Sequence, residues 1–121
     1  MTMTTTTRDV DGVAIVDIKG RIVLGEESGA LRELVADLVG KGQRKLLLNF
    51  AAVNYIDSSG LGNLVSSFVR VRMYDGELKL LNLTKRVHDV MQVTKLNTVF
   101  EIMDDEAVAV KSFRQSAGTT G

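Results

Sequence analysis

Asn54-Tyr55-Ile56-Asp57-Ser58-Ser59-Gly60-Leu61-Gly62 decides how this chain folds, because it joins two segments of different periodicity. Before it, Lys45-Leu46-Leu47-Leu48-Asn49-Phe50-Ala51 is short and continuously apolar, the pattern of a strand covered on both faces. After it, Leu61, Leu64, Val65, Phe68 and Val69 fall at i, i+3, i+4, i+7 and i+8, one apolar stripe of an amphipathic helix. Asp57 is placed to cap that helix by accepting from the free amides of Ser59 or Gly60, which makes Ser58 the first helical residue, pointing out from the helix mouth. Gly60 and Gly62 are poor helix formers, each costing about 1 kcal/mol against Ala. Two of them in one turn predict close approach by another backbone or by a partner surface.

The alternation continues outward in both directions. Upstream, residues 4–10 and 13–19 flank Asp11-Gly12, a strong hairpin signal. Ala14, Val16 and Ile18 alternate with Val13, Ile15 and Asp17, so both faces of this strand are apolar except at Asp17. Gly20 and Gly25 bracket a short connection to a first helix, with Leu31, Leu34, Val35, Leu38 and Val39 on one stripe. Glu26 and Glu27 lie in or near its first turn, where the helix dipole favours anions, and Gly40-Lys41-Gly42 ends it. Downstream, Asp75-Gly76 closes the second helix and residues 78–83 form the next strand. Thr84 caps a third helix carrying Val87, Val90 and Met91. Residues 99–102 suit an edge strand, and Asp104-Asp105-Glu106 loads the first turn of a last helix containing Ala107, Val110 and Phe113. This order predicts a single α/β domain over residues 1–121, with a mixed, mostly parallel sheet of about five strands and about four helices. The ends, 1–3 and 116–121, are expected to fray.

Composition removes several classes of function. Lys plus Arg and Asp plus Glu are 15 each, so no bulk charge draws the chain to nucleic acid or to an anionic membrane. The apolar runs are too short to span a bilayer. No apolar segment follows Met1-Thr2-Met3-Thr4-Thr5-Thr6-Thr7, so no secretory signal is expected and a cytoplasmic location is. The chain has no Cys, which excludes disulfides, thiolate chemistry and cysteine zinc sites. His88 is its single histidine, which excludes a multi-histidine metal centre. Proline is absent too, so turns rely on Gly, Asn and Asp.

Catalytic readings of the strand-to-helix turn fail on their missing parts. Gly60-Leu61-Gly62 imitates the start of a dinucleotide fingerprint, but Val65 holds the third glycine position and no acid ends the next strand. A phosphate-binding P-loop needs Lys and then Ser or Thr after its second glycine, and neither follows Gly62. A serine nucleophile needs a base, and the single His88 lies on the third helix, while the Gly-x-Ser-x-Gly elbow is missing. The remaining chemistry is a surface of switchable charge. Phosphorylation adds about −1.5 to −2 charges. A helix N-terminus favours that charge by roughly 0.3–1 kcal/mol. A carboxylate about 4 Å away opposes it by about 4 kcal/mol at an effective dielectric of 20, and by less when exposed. These terms partly cancel in the free protein but not in a buried interface, so phosphorylation is expected to block a contact and not to refold the domain.

Over nearly its whole length the chain resembles the STAS domains of bacterial anti-sigma factor antagonists. The resemblance is carried by the hairpin with Gly20 at its end, the first amphipathic helix, the Leu46 to Phe50 strand, and Asp57-Ser58-Ser59-Gly60-Leu61-Gly62 opening the next helix. It implies a regulatory binding protein, not an enzyme, with Ser58 as phosphoacceptor and Ser59 as the lesser candidate. Unphosphorylated relatives bind an anti-sigma factor that is also an ATP-dependent serine kinase, and so free a sigma factor. The kinase inactivates the antagonist by phosphorylation, and a metal-dependent serine phosphatase restores it. ATP and metal belong to those partners, so no cofactor or metal is expected on this chain, which would be a monomer or weak dimer. The expected partner face is Arg21, Ile56, Asp57, Ser58, Ser59, Gly60, Leu61 and Gly62. The chain departs from many relatives at Val23, in Gly20-Arg21-Ile22-Val23, and around Thr84-Lys85, where a proline is often found. The alternative is a scaffold subunit of a stressosome-like signalling or transport assembly, in which Ser58, and Thr84 with it, would tune assembly.

Overall fold

The structure is a computed structural model that describes residues 3–23 and 26–113, with the side chains of 26–28 left out. Of the ends expected to fray at 1–3 and 116–121, Met3 is instead buried and paired with Gly20 in the first strand, while 1–2, 116–121 and the role given to Gly25 lie outside the described residues. Spatial order follows chain order: β1 (Met3–Val10), β2 (Val13–Ile22), β3 (Lys45–Ile56), β4 (Glu77–Leu81) and β5 (Ile102–Met103) lie side by side in one sheet. β1 and β2 are antiparallel across Asp11-Gly12, both of which take the positive φ that a tight hairpin turn requires. Every other pairing is parallel.

Three helices make the crossovers: α1 (Glu26–Gly40), α2 (Ser58–Met73) and α3 (Lys85–Val93). Each steps to the next strand in the same direction. Crossovers share one hand, so all three helices fall on one face of the sheet. The main core has that composition. Ala14, Val16, Leu46, Leu48, Phe50 and Leu80 of the sheet meet Leu31 and Val35 of α1, Leu64 and Val71 of α2, and Val87 and Met91 of α3. α4 (Glu106–Ser112) returns to the opposite face, where Ala109, Val110 and the following Phe113 cover Val13, Ile15, Leu47 and Leu81.

Several boundaries differ from the expectation. β3 runs on through Asn54-Tyr55-Ile56 and β2 runs through Gly20 to Ile22, because the two strands keep pairing to Ile22–Ile56 by shifting register after Asp17 and after Gly20. Gly20, at φ 107°, therefore sits inside a strand at an irregularity and does not end one. β4 stops at Leu81, where Asn82 takes φ 56°. The edge strand expected at 99–102 is Ile102–Met103. Leu96–Thr98 forms a 3-10 turn instead, and it delivers Phe100 into the core, edge-on to Phe68 at 5.0 Å.

The expected stripe of α2 is present but slightly rotated. Leu61 and Leu64 are buried and Val65 and Phe68 pack partly buried against the core, while Val69 is exposed and Ser67 and Val71 are buried instead. Gly60 explains the rotation. A side-chain carbon there would overlap the carbonyl oxygen of Ile22 and lie 2.9 Å from both Ile22 Cγ2 and Ile56 Cγ1. The first turn of α2 is thus seated on the ends of β2 and β3, and the rest of the helix follows. The buried Ser67 hydroxyl donates to the Asn63 carbonyl at 2.9 Å, so its inward position leaves no polar atom unpaired.

Polar side chains tie the α4 layer to the sheet. Arg8 Nε donates to Asp17 Oδ2 at 2.7 Å, and its Nη2 to Glu106 Oε1 at 2.6 Å, so one guanidinium bridges β1, β2 and α4. Asn49 Nδ2 adds a bond to Asp17 Oδ1 at 2.8 Å. Lys79 is buried, and its Nζ donates to the carbonyl and hydroxyl oxygens of Ser112 at 3.0 and 2.9 Å and lies 4.7 Å from the centre of the Phe113 ring. That arrangement provides for a cation no apolar core would otherwise hold.

Two outcomes follow. Hydrogen bonds from Arg8 hold the Glu106 and Asp17 carboxyls below their ordinary values of 4.5 and 3.8. A depressed carboxyl contributes stability above its unfolded value and loses it as the pH falls through its folded one. Arg8→Met is therefore expected to lower unfolding free energy in urea by about 1 kcal/mol at neutral pH, given the partial exposure of the pairs. The deficit should vanish in acid below the depressed values, and a deficit independent of pH would contradict the bridge. The second outcome separates the glycines. Gly60→Ala should cost about 3 kcal/mol through overlap with fixed backbone. Gly62, with no atom within 4 Å of a side-chain carbon placed there, should gain about 1 kcal/mol on substitution by Ala. Equal urea midpoints for the two variants would contradict the packing.

Candidate functional site

The site lies where β3 gives way to α2, beyond the carboxyl end of the central strand, the usual position for sites on open α/β sheets. Asp57 is the N-cap, with extended backbone at φ −101°, ψ −177°. Its Oδ1 accepts from the Gly60 amide at 2.8 Å and its carbonyl accepts from Leu61 at 2.9 Å, while its own amide donates to the Ile22 carbonyl at 3.2 Å. One residue thereby closes the first turn of α2 and pins it to the end of β2. The expected cap is present, on Gly60 of the two amides considered.

Ser58 follows as the first residue of α2. It is exposed, and among the described residues its hydroxyl takes part in no hydrogen bond. Ser59 is half-buried. The other residues of the expected partner face divide by depth. Arg21 and Gly62 are exposed, Asp57 is half-buried, and Ile56, Gly60 and Leu61 are buried in the packing beneath the turn. The last three hold the turn in position and do not present a surface. The two glycines therefore have separate reasons: Gly60 meets the chain's own backbone, and Gly62 leaves open space.

Beside the turn, register pairing sets Arg21 next to Tyr55, and the guanidinium lies 5.5 Å from the centre of the ring. Arg21, Asn54, Tyr55, Thr84 and Arg86 line an open groove of about 690 Å³. Neither Arg21 nor Arg86 is in an ion pair among the described residues, so the groove carries uncompensated positive charge. Thr84 is already in use. Its hydroxyl donates to the Val53 carbonyl at 2.9 Å and accepts from the Val87 amide at 3.5 Å as the cap of α3. Asn54, Tyr55 and Arg86 were not among the residues expected on the partner face, since their neighbourhood depends on how far β2 and β3 pair. His88 is exposed on α3. Among the described residues no cluster of His, Asp and Glu could hold a metal ion, and no helix is long and apolar enough to cross a membrane.

Comparison with known proteins identifies the family and agrees with the fold. Residues 4–109 match the family model of the STAS domain. The anti-sigma-B factor antagonist of Bacillus subtilis is 34% identical over 87 residues, covering 72% of this chain and 78% of that protein. An anti-sigma factor antagonist from Mycobacterium paratuberculosis superimposes with a TM-score of 0.80 at 20% identity, over 94% of this chain and 96% of its own. The Bacillus cell fate determinant SpoIIAA has the same fold in both of its forms. The unphosphorylated form gives a TM-score of 0.67 at 18% identity over 89% of this chain and 96% of that one, and the phosphorylated form 0.69 at 17% over 89% and 98%. With residues 4–109 matched by the STAS domain model and a relative 34% identical over 72% of its length, the chain belongs to the STAS domain family, among the anti-sigma factor antagonists.

Proposed function

We propose that this chain is a phosphorylation-gated antagonist. Unphosphorylated, it binds an anti-sigma factor that is also an ATP-dependent serine kinase and so frees a sigma factor. Phosphate on Ser58 blocks that binding, and a metal-dependent serine phosphatase restores it. The exchange takes place in the cytoplasm, and the chain itself performs no catalysis. One observation carries the reading: Ser58 is exposed with an unengaged hydroxyl at the head of a helix whose cap is supplied entirely by its neighbour Asp57. The hydroxyl is free to accept a phosphoryl group without breaking a structural bond.

The same separation of tasks explains why the switch acts through contact. Phosphate at Ser58 removes no cap and fills no cavity, so the fold is expected to persist, as it does in the two forms of SpoIIAA. What changes is the charge presented to a partner, by about −1.5 to −2. Every 1.4 kcal/mol lost at an interface is about tenfold in affinity, so a desolvated phosphate with no cationic partner suffices to abolish binding. Thr84 is a poorer acceptor, because its hydroxyl holds β3 to α3.

The test begins with a pull-down from the native cell, phosphosite mapping with ATP, and binding measurements on the recovered kinase. Ser58→Ala should bind constitutively and take up no phosphate at that turn. Ser58→Asp should bind at least about tenfold more weakly and keep the wild-type urea midpoint. Full affinity in Ser58→Asp would sink the electrostatic block, and phosphate transfer to Thr84 or Ser59 in place of Ser58 would move the acceptor.

A further inference from the structure

The rotation of α2 leaves an outward strip that the turn alone does not account for. Ser58, Gly62, Ser66, Val69 and Met73 follow one another at spacings of three and four, and at about 100° per residue they lie within about 80° of one another on the helix. The strip begins at the phosphoacceptor and extends about 22 Å along the axis. Its first half is low, with Gly62 bare and Ser66 small, which lets another backbone approach closely. Its second half is apolar and in solvent, Val69 at 47% and Met73 at 76% exposed. Arg32 of α1 and Arg70 of α2 line the groove at that end together with Val65, Val69, Met73 and Tyr74. Among the described residues no carboxylate lines the groove and neither Arg32 nor Arg70 is in an ion pair, and α2 contains no acidic residue.

We propose that this strip receives one amphipathic helix of the anti-sigma partner, with its apolar stripe on Val69 and Met73 and acidic side chains facing Arg32 and Arg70. The inference rests on the reading of the chain as a Ser58-gated antagonist and extends it by giving the partner's contact a length, a direction and a sign. Charge complementarity selects this occupant. A second copy seated symmetrically on the strip would bring the arginines of the two copies to the same surface, where like charges oppose each other. An acidic helix meets the opposite field.

The experiment titrates the chain with the purified ATP-binding kinase recovered in the pull-down, following heat by calorimetry. Val69→Glu with Met73→Glu, and separately Arg32→Glu with Arg70→Glu, should each weaken binding by about tenfold or more. Their urea midpoints should match wild type, since the altered side chains are in solvent. The milder Val69→Ser with Met73→Ser should weaken binding in the same direction and guards against a folding defect in the charged variants. Wild-type affinity in both charged double variants, with binding still abolished in Ser58→Asp, would overturn the strip and leave the switch intact. Failure of the wild-type chain to bind any such kinase would overturn the switch and the strip with it. Sedimentation of the wild type as a dimer that Val69→Glu with Met73→Glu disperses would assign the strip to a second copy and overturn the proposal.

Discussion

The seat of Gly60 on the Ile22 carbonyl is the contact from which the functional geometry follows. It permits no side-chain carbon at that position, so the helix backbone and the end of β2 meet directly. The Ile22 oxygen also accepts from the Asp57 amide, and the Asp57 carboxylate returns to the Gly60 amide. Three residues therefore form a closed arrangement that sets the height, the angle and the rotation of α2. Everything presented on the outer side of that helix, from the Ser58 hydroxyl to Met73, is where it is because of this arrangement. The placement is consistent with the general economy of α/β sheets, which gather their sites at the carboxyl ends of the strands.

Much of this was legible in the residues. Hairpin, crossover helices and central strand are written in strong local signals: Asp11-Gly12, the Leu31 to Val39 stripe and the unbroken run from Leu46 to Leu48. Monotonic strand order then requires little further information, since crossovers of one hand place their helices together. The Asp57 cap and the exposed position of Ser58 were also readable, because a cap depends on the residues immediately around it. The less legible features depend on tertiary contact. Val69 looks inward by spacing, yet periodicity defines a stripe only to within a residue or so of rotation, and the stripe that wins is set by Gly60, Ile22 and Ile56. The lengths of β2 and β3 escaped for a related reason. Asn54 breaks the apolar run, and it and Tyr55 stay in the strand because β2 remains paired beside them through two register shifts.

The two faces of the sheet are closed by different physics. The face toward α1, α2 and α3 is a continuous apolar core. The face toward α4 is a smaller apolar cluster supplemented by the Arg8 bridge and by Lys79. Asp17, the one polar break in an otherwise apolar strand, was visible in the sequence, but its partners Arg8 and Asn49, and the Glu106 that Arg8 also holds, come from three other elements and were not. A helix as short as α4 cannot hold itself on a sheet by propensity, so side-chain bonds to its first and last turns complement the three apolar residues beneath it.

Lys79 also gives the molecule an internal clock for opening. Among the described residues it is the buried lysine, its amine enclosed by Ser112, Phe113 and the strand it belongs to. Exposed amines such as those of Lys41 and Lys85 meet an acylating reagent at once, whereas Lys79 meets it only when α4 detaches or the sheet comes apart. Its rate of acylation is therefore a chemical measure of that local unfolding free energy, read at a single position in the native protein and without denaturant.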